Sequence, residues 1–395
     1  MHCGPRACPI KRQRTTNNKE SEMSMAGYAG YAGYAGYAGY AGYAGYAGYA
    51  GYAGYAGIGS LASMASPLVV DAMIRSRDAL AENVQTGKWP NQWNGAKWRS
   101  SYPKVGDDGR RLWHWEPHIR AALYDQELLG QLRFVFVREK LELRSTSGAL
   151  IASLVRPPRQ TFEAQLDLVQ SWAARREERL SEVLSQTVPQ VPFWASVLQL
   201  NPNRHRCTFE LVEAALRLTM VLVMRFKHEF ACPRPSEYSP NIQPMIPVPG
   251  YSAYPSGHAT ESSMVAHLLL ELTRQRDPSP LRTQMVELAD RIAGHRVTAG
   301  LHFPIDSAAG FYLGRALAGY LTALASPGLT WRGAAFDGAA YPPSADWRQS
   351  MPPPQGRKPY LIEQKPTSSP VGAAPTFAQL WTRARTEQRE AGFAA

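Results

Sequence analysis

The chain predicts an all-α, bundle-like fold with unstructured ends. Apolar residues recur at helical spacing through its middle, strand signals are scarce, and both ends lack the apolar content of a packed core. Of its 395 residues, 1–66 read as a disordered basic arm and repeat, 67–326 as the folded helical body, and 327–395 as a Pro/Gly-rich tail with a short terminal helix.

Taken in order, the first element is a repeat of Ala-Gly-Tyr from Ala26 to Gly57, with ten tyrosines from Tyr28 to Tyr55. Glycine at every third position without proline lacks the preorganisation of a collagen helix, so a flexible or extended segment is expected. Leu68-Val69-Val70, Met73-Ile74 and Leu80 then form a first apolar stripe. The tryptophan-rich stretch from Trp89 to Trp115 breaks the pattern and reads as a loop lying over the helices. A second stripe runs through Ile119, Ala122-Leu123, Leu128-Leu129, Leu132 and Val135 and is extended by Glu139, Leu141 and Leu143. It contains the best strand signal of the chain, Phe134-Val135-Phe136-Val137, inside a longer helical pattern.

Residues 161–184 read as one amphipathic helix: Phe162, Leu166, Leu168-Val169, Trp172, Leu180 and Val183-Leu184 share a face, and Arg175 to Arg179 carry the charged one. Further helices are expected at 207–230, 258–274, 279–295 and 304–325. The last opens with Pro304, whose fixed φ suits a first turn.

Composition removes several function classes. The net charge of +11 owes five cations to the first twenty residues, Arg6, Lys11, Arg12, Arg14 and Lys19, and no recognition module accompanies them; nucleic acid is not an expected partner. Cys3, Cys8, Cys207 and Cys232 lack zinc-like spacing and are too few for a disulfide scaffold. No apolar h-region follows the first charges, and the best apolar runs, 308–325 and 211–226, are interrupted by Arg315 and Arg217. A soluble, cytoplasmic protein without a transmembrane segment is expected, and a homo-oligomer is left open.

Function is carried by eighty residues, from Lys227 to Asp306. Lys227 lies near a helix end, and Cys232-Pro233-Arg234-Pro235 stops that helix so that Arg234 can fold back toward the same anion. Ser256-Gly257-His258 follows a Pro-rich loop and opens a helix, where free N–H groups, a close-approaching glycine and a hydroxyl suit an oxyanion. Arg296 adds a third permanent cation, Gly300 permits a tight turn, and His302 stands four residues before Asp306, so one turn brings the carboxylate to the imidazole. Each group alone is commonplace: a surface cation pair, an N-cap, a helix cap. Their joint occurrence points to a pocket for phosphate or vanadate.

In this pattern the chain resembles the superfamily of type 2 phosphatidic acid phosphatases, bacterial acid phosphatases and vanadium-dependent haloperoxidases, in its soluble bacterial-type branch. The signature is Lys, six residues, Arg-Pro; then Pro-Ser-Gly-His; then Arg, five residues, His, three residues, Asp. The resemblance implies the helical bundle of that superfamily, with Lys227, Arg234, Ser256, Gly257 and Arg296 holding the anion. In a phosphatase, which needs no cofactor, His302 oriented by Asp306 would attack phosphorus and His258 would protonate the leaving alcohol. In a haloperoxidase the cofactor would be vanadate, with His302 bound to vanadium, His258 handling protons, Lys227 polarising peroxide, and halide and peroxide as substrates. The chain departs from the pattern at His295, where serine is common. Two further departures are Tyr251, at a position that is aromatic or His in haloperoxidases, and Met224, where some haloperoxidases place Trp or Arg; these two are the candidate halide- or substrate-side residues. His228 and His267 read as helix-face residues, and His205 and His295 are undecided. The lack of spans and Tyr251 tilt the reading slightly to the haloperoxidase-like branch, with the acid phosphatase next. A structural or adhesive protein working through the Ala-Gly-Tyr repeat is a third reading.

Overall fold

The computed structural model describes residues 110–187, 190–326, 328–346, 359–368 and 373–393, together with Asp71 and Arg75. The Ala-Gly-Tyr repeat, most of the first apolar stripe and most of the tryptophan-rich stretch lie outside these residues. After a short 3-10 turn, Arg110–His114, come helix α1 (Pro117–Leu129), strands β1 (Leu132–Val137), β2 (Lys140–Ser145) and β3 (Leu150–Val155), and short helices α2 (Arg159–Ala164), α3 (Leu166–Ala173), α4 (Arg176–Ser185) and α5 (Val191–Leu198). Then follow α6 (Arg206–Phe230), α7 (Pro235–Tyr238), α8 (Gly257–Leu272), α9 (Pro280–Thr298), α10 (Pro304–Ala325), β4 (Thr330–Asp337), β5 (Leu361–Ser368) and α11 (Pro375–Glu390).

The fold is therefore mixed α/β, and the all-α expectation is corrected. A five-stranded sheet runs in the order β1-β2-β3-β4-β5, antiparallel except where β3 pairs with β4 in parallel. The second stripe does not continue as a helix from Ile119 to Leu143. It stops at Gly130, and Leu132–Val137 and Lys140–Ser145 form a hairpin turning at Arg138, which takes a left-handed φ of 58°. The expected C-terminal tail is not a tail either. Its residues supply β4 and β5, and α11 packs against α6, α1, α8 and α10. The single helix expected at 161–184 is three short ones, broken at Gln165 and at Ala174-Arg175.

Helix α10 organises the interior. It packs against β3 and β4 of the sheet as well as against α8 and α9. Nearly all of it is buried, including Ile305, Phe311, Leu317 and Leu321. At such positions truncation to alanine costs about 2–5 kcal/mol. Two glycines set its distance from α8: a Cβ on Gly310 would stand 2.5 Å from the Ser256 carbonyl oxygen, and one on Gly314 2.2 Å from that of Thr260. Only a bare backbone lets the helices approach so closely. That approach carries the start of α10 to the start of α8.

Helix α6 buries Leu211, Ala215, Leu218, Leu222 and Phe226 at three- and four-residue spacing, and Lys227 falls on the same inward stripe. No local side chain caps its N-terminus; the Glu387 carboxylate of α11 accepts the N–H groups of Cys207 and Thr208 at 2.8 Å each. The helix ends at Ala231 in the left-handed conformation (φ 48°), with Pro233 just beyond. Among the described residues no helix is long and apolar enough to cross a membrane.

Candidate active site

The loop between α7 and α8 and the starts of α8 and α10 fix the positions of the charged side chains. Lys227, 2% exposed, donates from Nζ to the carbonyls of Ser252 and Ala253 at 2.7 Å each. Two of its three N–H donors are thereby used. Ser252 Oγ returns a 2.5 Å bond to the Lys227 carbonyl, and Ala253 N–H bonds Cys232 O, so the loop is stitched to the end of α6.

Arg234 is held from its backbone outward. Its N–H donates to Glu237 Oε1 at 2.7 Å, half of a capping box at the start of α7. Its guanidinium is 1% exposed and donates from Nε to Tyr251 O and from Nη1 to Leu301 O, both at 3.0 Å. Nη1 also lies 3.0 Å from His302 Nε2. Nη2 is buried with no hydrogen-bond partner among the described residues. The Tyr251 ring, half-exposed, stands 5.5 Å from Lys227 Nζ and 5.3 Å from Arg234 Cζ. It spans the two cations.

The third group follows from a turn. Gly300 adopts φ 74°, and its Cβ, were there one, would press on Arg176 Nη2 at 3.0 Å. The chain then reverses into Leu301, His302 and α10. Asp306 does two jobs there: Oδ2 accepts the Phe303 N–H at 2.9 Å as a helix cap and lies 3.0 Å from His302 Nδ1. A guanidinium can only donate, so His302 Nε2 is the acceptor and the proton sits on Nδ1, facing Asp306. Burial first, then the charges of Arg234 and Lys227, hold the His302 pKa well below its ordinary value. The ring is neutral, with its lone pair on Nε2. Burial pushes Asp306 up to about 7, although the Phe303 N–H and the two cations pull the other way.

Ser256 caps α8, accepting Ala259 N–H at 3.4 Å, and its own N–H donates to Asp306 O at 2.9 Å, which ties the two helix starts together. A Cβ placed on Gly257 would meet nothing within 4 Å among the described residues. The described residues leave open space in front of this backbone. His258 Nε2 lies 2.8 Å from the carbonyl of Gln186, the residue that ends α4. Dense surroundings, then Arg296, bring the His258 pKa down to about 3. Arg296, 2% exposed, donates from Nη2 to Val183 O at 2.9 Å and to Gln186 Oε1 at 3.4 Å.

The structure thus brings the three groups together. Arg234 touches His302, Tyr251 spans Lys227 and Arg234, and Gln186 joins Arg296 to His258. Among the described residues, Gln186 and Glu261 join the site from outside the motifs. Gln186 ends a helix with no sequence signal. Glu261 was findable, since it stands one turn after His258 on α8; it accepts a 3.4 Å bond from Gln190 and burial pushes it up to about 7. Met224 packs as a partly buried side chain against the hydrophobic core. His295 Nδ1 lies 2.8 Å from Gln186 Oε1 and its Nε2 lies 3.5 Å from Glu182 Oε2. His267 bonds the carbonyl of Ser263 within its own helix.

Residues 211–327 match the family model of the PAP2 superfamily. This segment belongs to the PAP2 superfamily. No curated protein matches the chain. The PAP2 segment begins within α6 and runs past the end of α10, so it spans Lys227, Arg234, His258, Arg296 and His302. Gln186 and the sheet strands β1 to β3 precede it. The superfamily is generally enzymatic, of the phosphatase and haloperoxidase type.

Buried cations set against backbone carbonyls favour an anion, because carbonyl dipoles satisfy their N–H groups without cancelling their charge. The orphaned Arg234 Nη2 and the space before Gly257 fit a tetrahedral oxyanion, phosphate and vanadate alike. The start of α8 adds backbone N–H groups and the positive end of a helix dipole.

Proposed function

We propose that this PAP2 domain hydrolyses phosphomonoesters of a small-molecule substrate without a metal or other cofactor. The observation that carries the reading is the neutral His302, with Nδ1–H on Asp306 and the Nε2 lone pair 3.0 Å from an arginine that has a further N–H to give. Phosphate oxygens would take over the donors of Arg234, joined by Lys227, Arg296, Ser256 and the N–H of Gly257. Nε2 would then attack phosphorus as the ester P–O bond breaks, and His258, which would take up a proton as the anion's charge arrives beside it, would pass that proton to the leaving oxygen. Water, giving a proton to His258, would cleave the resulting P–N bond and release phosphate.

Vanadate-dependent halide oxidation by peroxide is the second reading. Vanadate would occupy the same donors with His302 as its protein ligand. When bound there, it supplies Lewis-acid activation of peroxide. The Tyr251 ring over both cations favours this reading. Met224 moves weight to hydrolysis, since its thioether lies in apolar packing and brings no donor toward a halide.

One assay pair tests both. Purified protein is given p-nitrophenyl phosphate, and separately bromide, hydrogen peroxide and orthovanadate with a phenol acceptor. Hydrolysis inhibited by orthovanadate supports the first reading, and vanadate-dependent bromination supports the second. If neither appears, both are wrong.

A further inference from the structure

Gln186 lies before the PAP2 segment, yet it is fully buried at the centre of the site's polar contacts. Its backbone carbonyl faces His258 Nε2 at 2.8 Å, and its Oε1 faces both His295 Nδ1 at 2.8 Å and Arg296 Nη2 at 3.4 Å. A carbonyl oxygen cannot donate, so His258 Nε2 must carry a hydrogen. With the ring neutral, its lone pair lies on Nδ1. His302 is the opposite case: its hydrogen is on Nδ1 and its lone pair on Nε2.

We propose that Gln186 is a positioning residue for this site: its carbonyl fixes His258 so that protons are exchanged through Nδ1, and its carboxamide holds Arg296 in place for the oxyanion. The proposal rests on the reading that the site binds a tetrahedral oxyanion. The two halves of Gln186 act on different partners. The backbone half survives any side-chain substitution, and the carboxamide half does not. The end of α4 makes this possible, since the last carbonyls of a helix have no partner within it and are free to accept from outside.

The two halves can be separated experimentally. Nitrogen-15 NMR of histidine-labelled protein, with the His258 signals assigned by their loss in His258→Asn, reads the tautomer directly and needs no activity. Hydrogen on Nε2 is expected in the wild type and in Gln186→Met, which keeps the volume and the carbonyl. Hydrogen on Nδ1 would overturn the proposal. The second arm measures orthovanadate binding by calorimetry. Gln186→Met should weaken it about tenfold, the scale of a lost hydrogen bond to a charged group. In an Arg296→Met background the same substitution should change nothing further. Unchanged affinity in Gln186→Met, or losses that simply add, would remove the carboxamide half. If the wild type binds no orthovanadate, the oxyanion reading fails instead, and the tautomer measurement still decides the role of the carbonyl.

Discussion

Two buried arginine clusters in this molecule are built in opposite ways. Arg120 of α1 donates to both carboxylate oxygens of Glu210 on α6, at 2.8 and 2.6 Å, while Tyr124 donates to the same carboxylate at 3.0 Å and the Trp113 ring lies 4.9 Å from the guanidinium. Burial works against the Arg120 charge, but Glu210 outweighs it and the pKa ends raised. At the PAP2 site burial also opposes the charge of Arg234, and here Asp306, Tyr251 and Glu237 do not make up the loss, so the pKa ends lowered. Lys227 is lowered as well, by burial and then by Arg234 beside it. Arg120 is neutralised within the fold. Arg234 and Lys227 lean mainly on carbonyl dipoles and share one buried carboxylate, Asp306. The first arrangement is complete without a ligand, and the second gains from an anion.

If that contrast is right, substitutions at the two clusters separate function from stability. His302→Ala should lower turnover at least about a thousandfold, as expected when a nucleophile is removed, with thermal unfolding shifted by only a few degrees. Steady-state kinetics and calorimetric unfolding on one preparation measure both. Comparable loss of turnover in a variant of the Arg120 cluster would erase the distinction.

Glu210→Ala should do the reverse. It leaves Arg120 buried without its carboxylate, which costs about 3–5 kcal/mol. Activity per folded molecule should stay within about twofold. Urea unfolding followed by tryptophan fluorescence gives the first number, and kinetics normalised to the folded fraction the second.

The same contrast explains what the sequence reveals. The helices bearing the site residues are legible because their signals are local: Pro304 at a first turn, Ser256 as an N-cap, Pro233 beyond the end of α6. The His302–Asp306 contact is legible too, because four residues in a helix make one turn. The sheet is hidden for the opposite reason. Leu132, Val135 and Leu143 fit a helical stripe as well as a strand, and only pairing across the hairpin decides between them. β4 is fixed by Ala152–Val155 pairing with Ala334–Asp337, a partnership nearly two hundred residues long that leaves no local trace. Gln186 is hidden because its role depends on where the end of α4 meets α8 and α9.

Two glycines sharpen the comparison at smaller scale. Gly314→Ala would drive a Cβ to 2.2 Å from the Thr260 carbonyl oxygen, so it should destabilise by about 1–3 kcal/mol through overpacking. Gly257→Ala would place a Cβ where no described residue lies within 4 Å, so the fold should barely notice. Phosphate, however, should bind at least severalfold more weakly to Gly257→Ala, because that methyl enters the space assigned to the anion. Unfolding midpoints with and without phosphate measure both variants. A Gly257→Ala protein that phosphate protects as well as the wild type would move the anion elsewhere.

The smallest effect concerns protons. Without an anion, burial and then Arg296 hold the His258 pKa down to about 3, too low for a proton donor near neutrality. Phosphate brings negative charge beside the same ring and should raise that value, so binding takes up a proton and affinity should rise as pH falls toward the raised value. The effect on stability has the opposite sense. In the absence of anion the unfolded chain binds the His258 proton near the ordinary histidine pKa of 6.5 and the folded chain only near 3. This contribution is therefore fully present above about 6.5 and is lost as pH falls through that window. His267 and His295, each lowered to about 4, add to it. Asp306 and Glu261, raised to about 7, oppose it, since their contribution is present at low pH and is lost as pH rises through about 7. A histidine titration by NMR, with and without phosphate, isolates His258 from these others. No upward shift on phosphate binding would mean that the anion sits away from His258, and the proton would have to come from elsewhere.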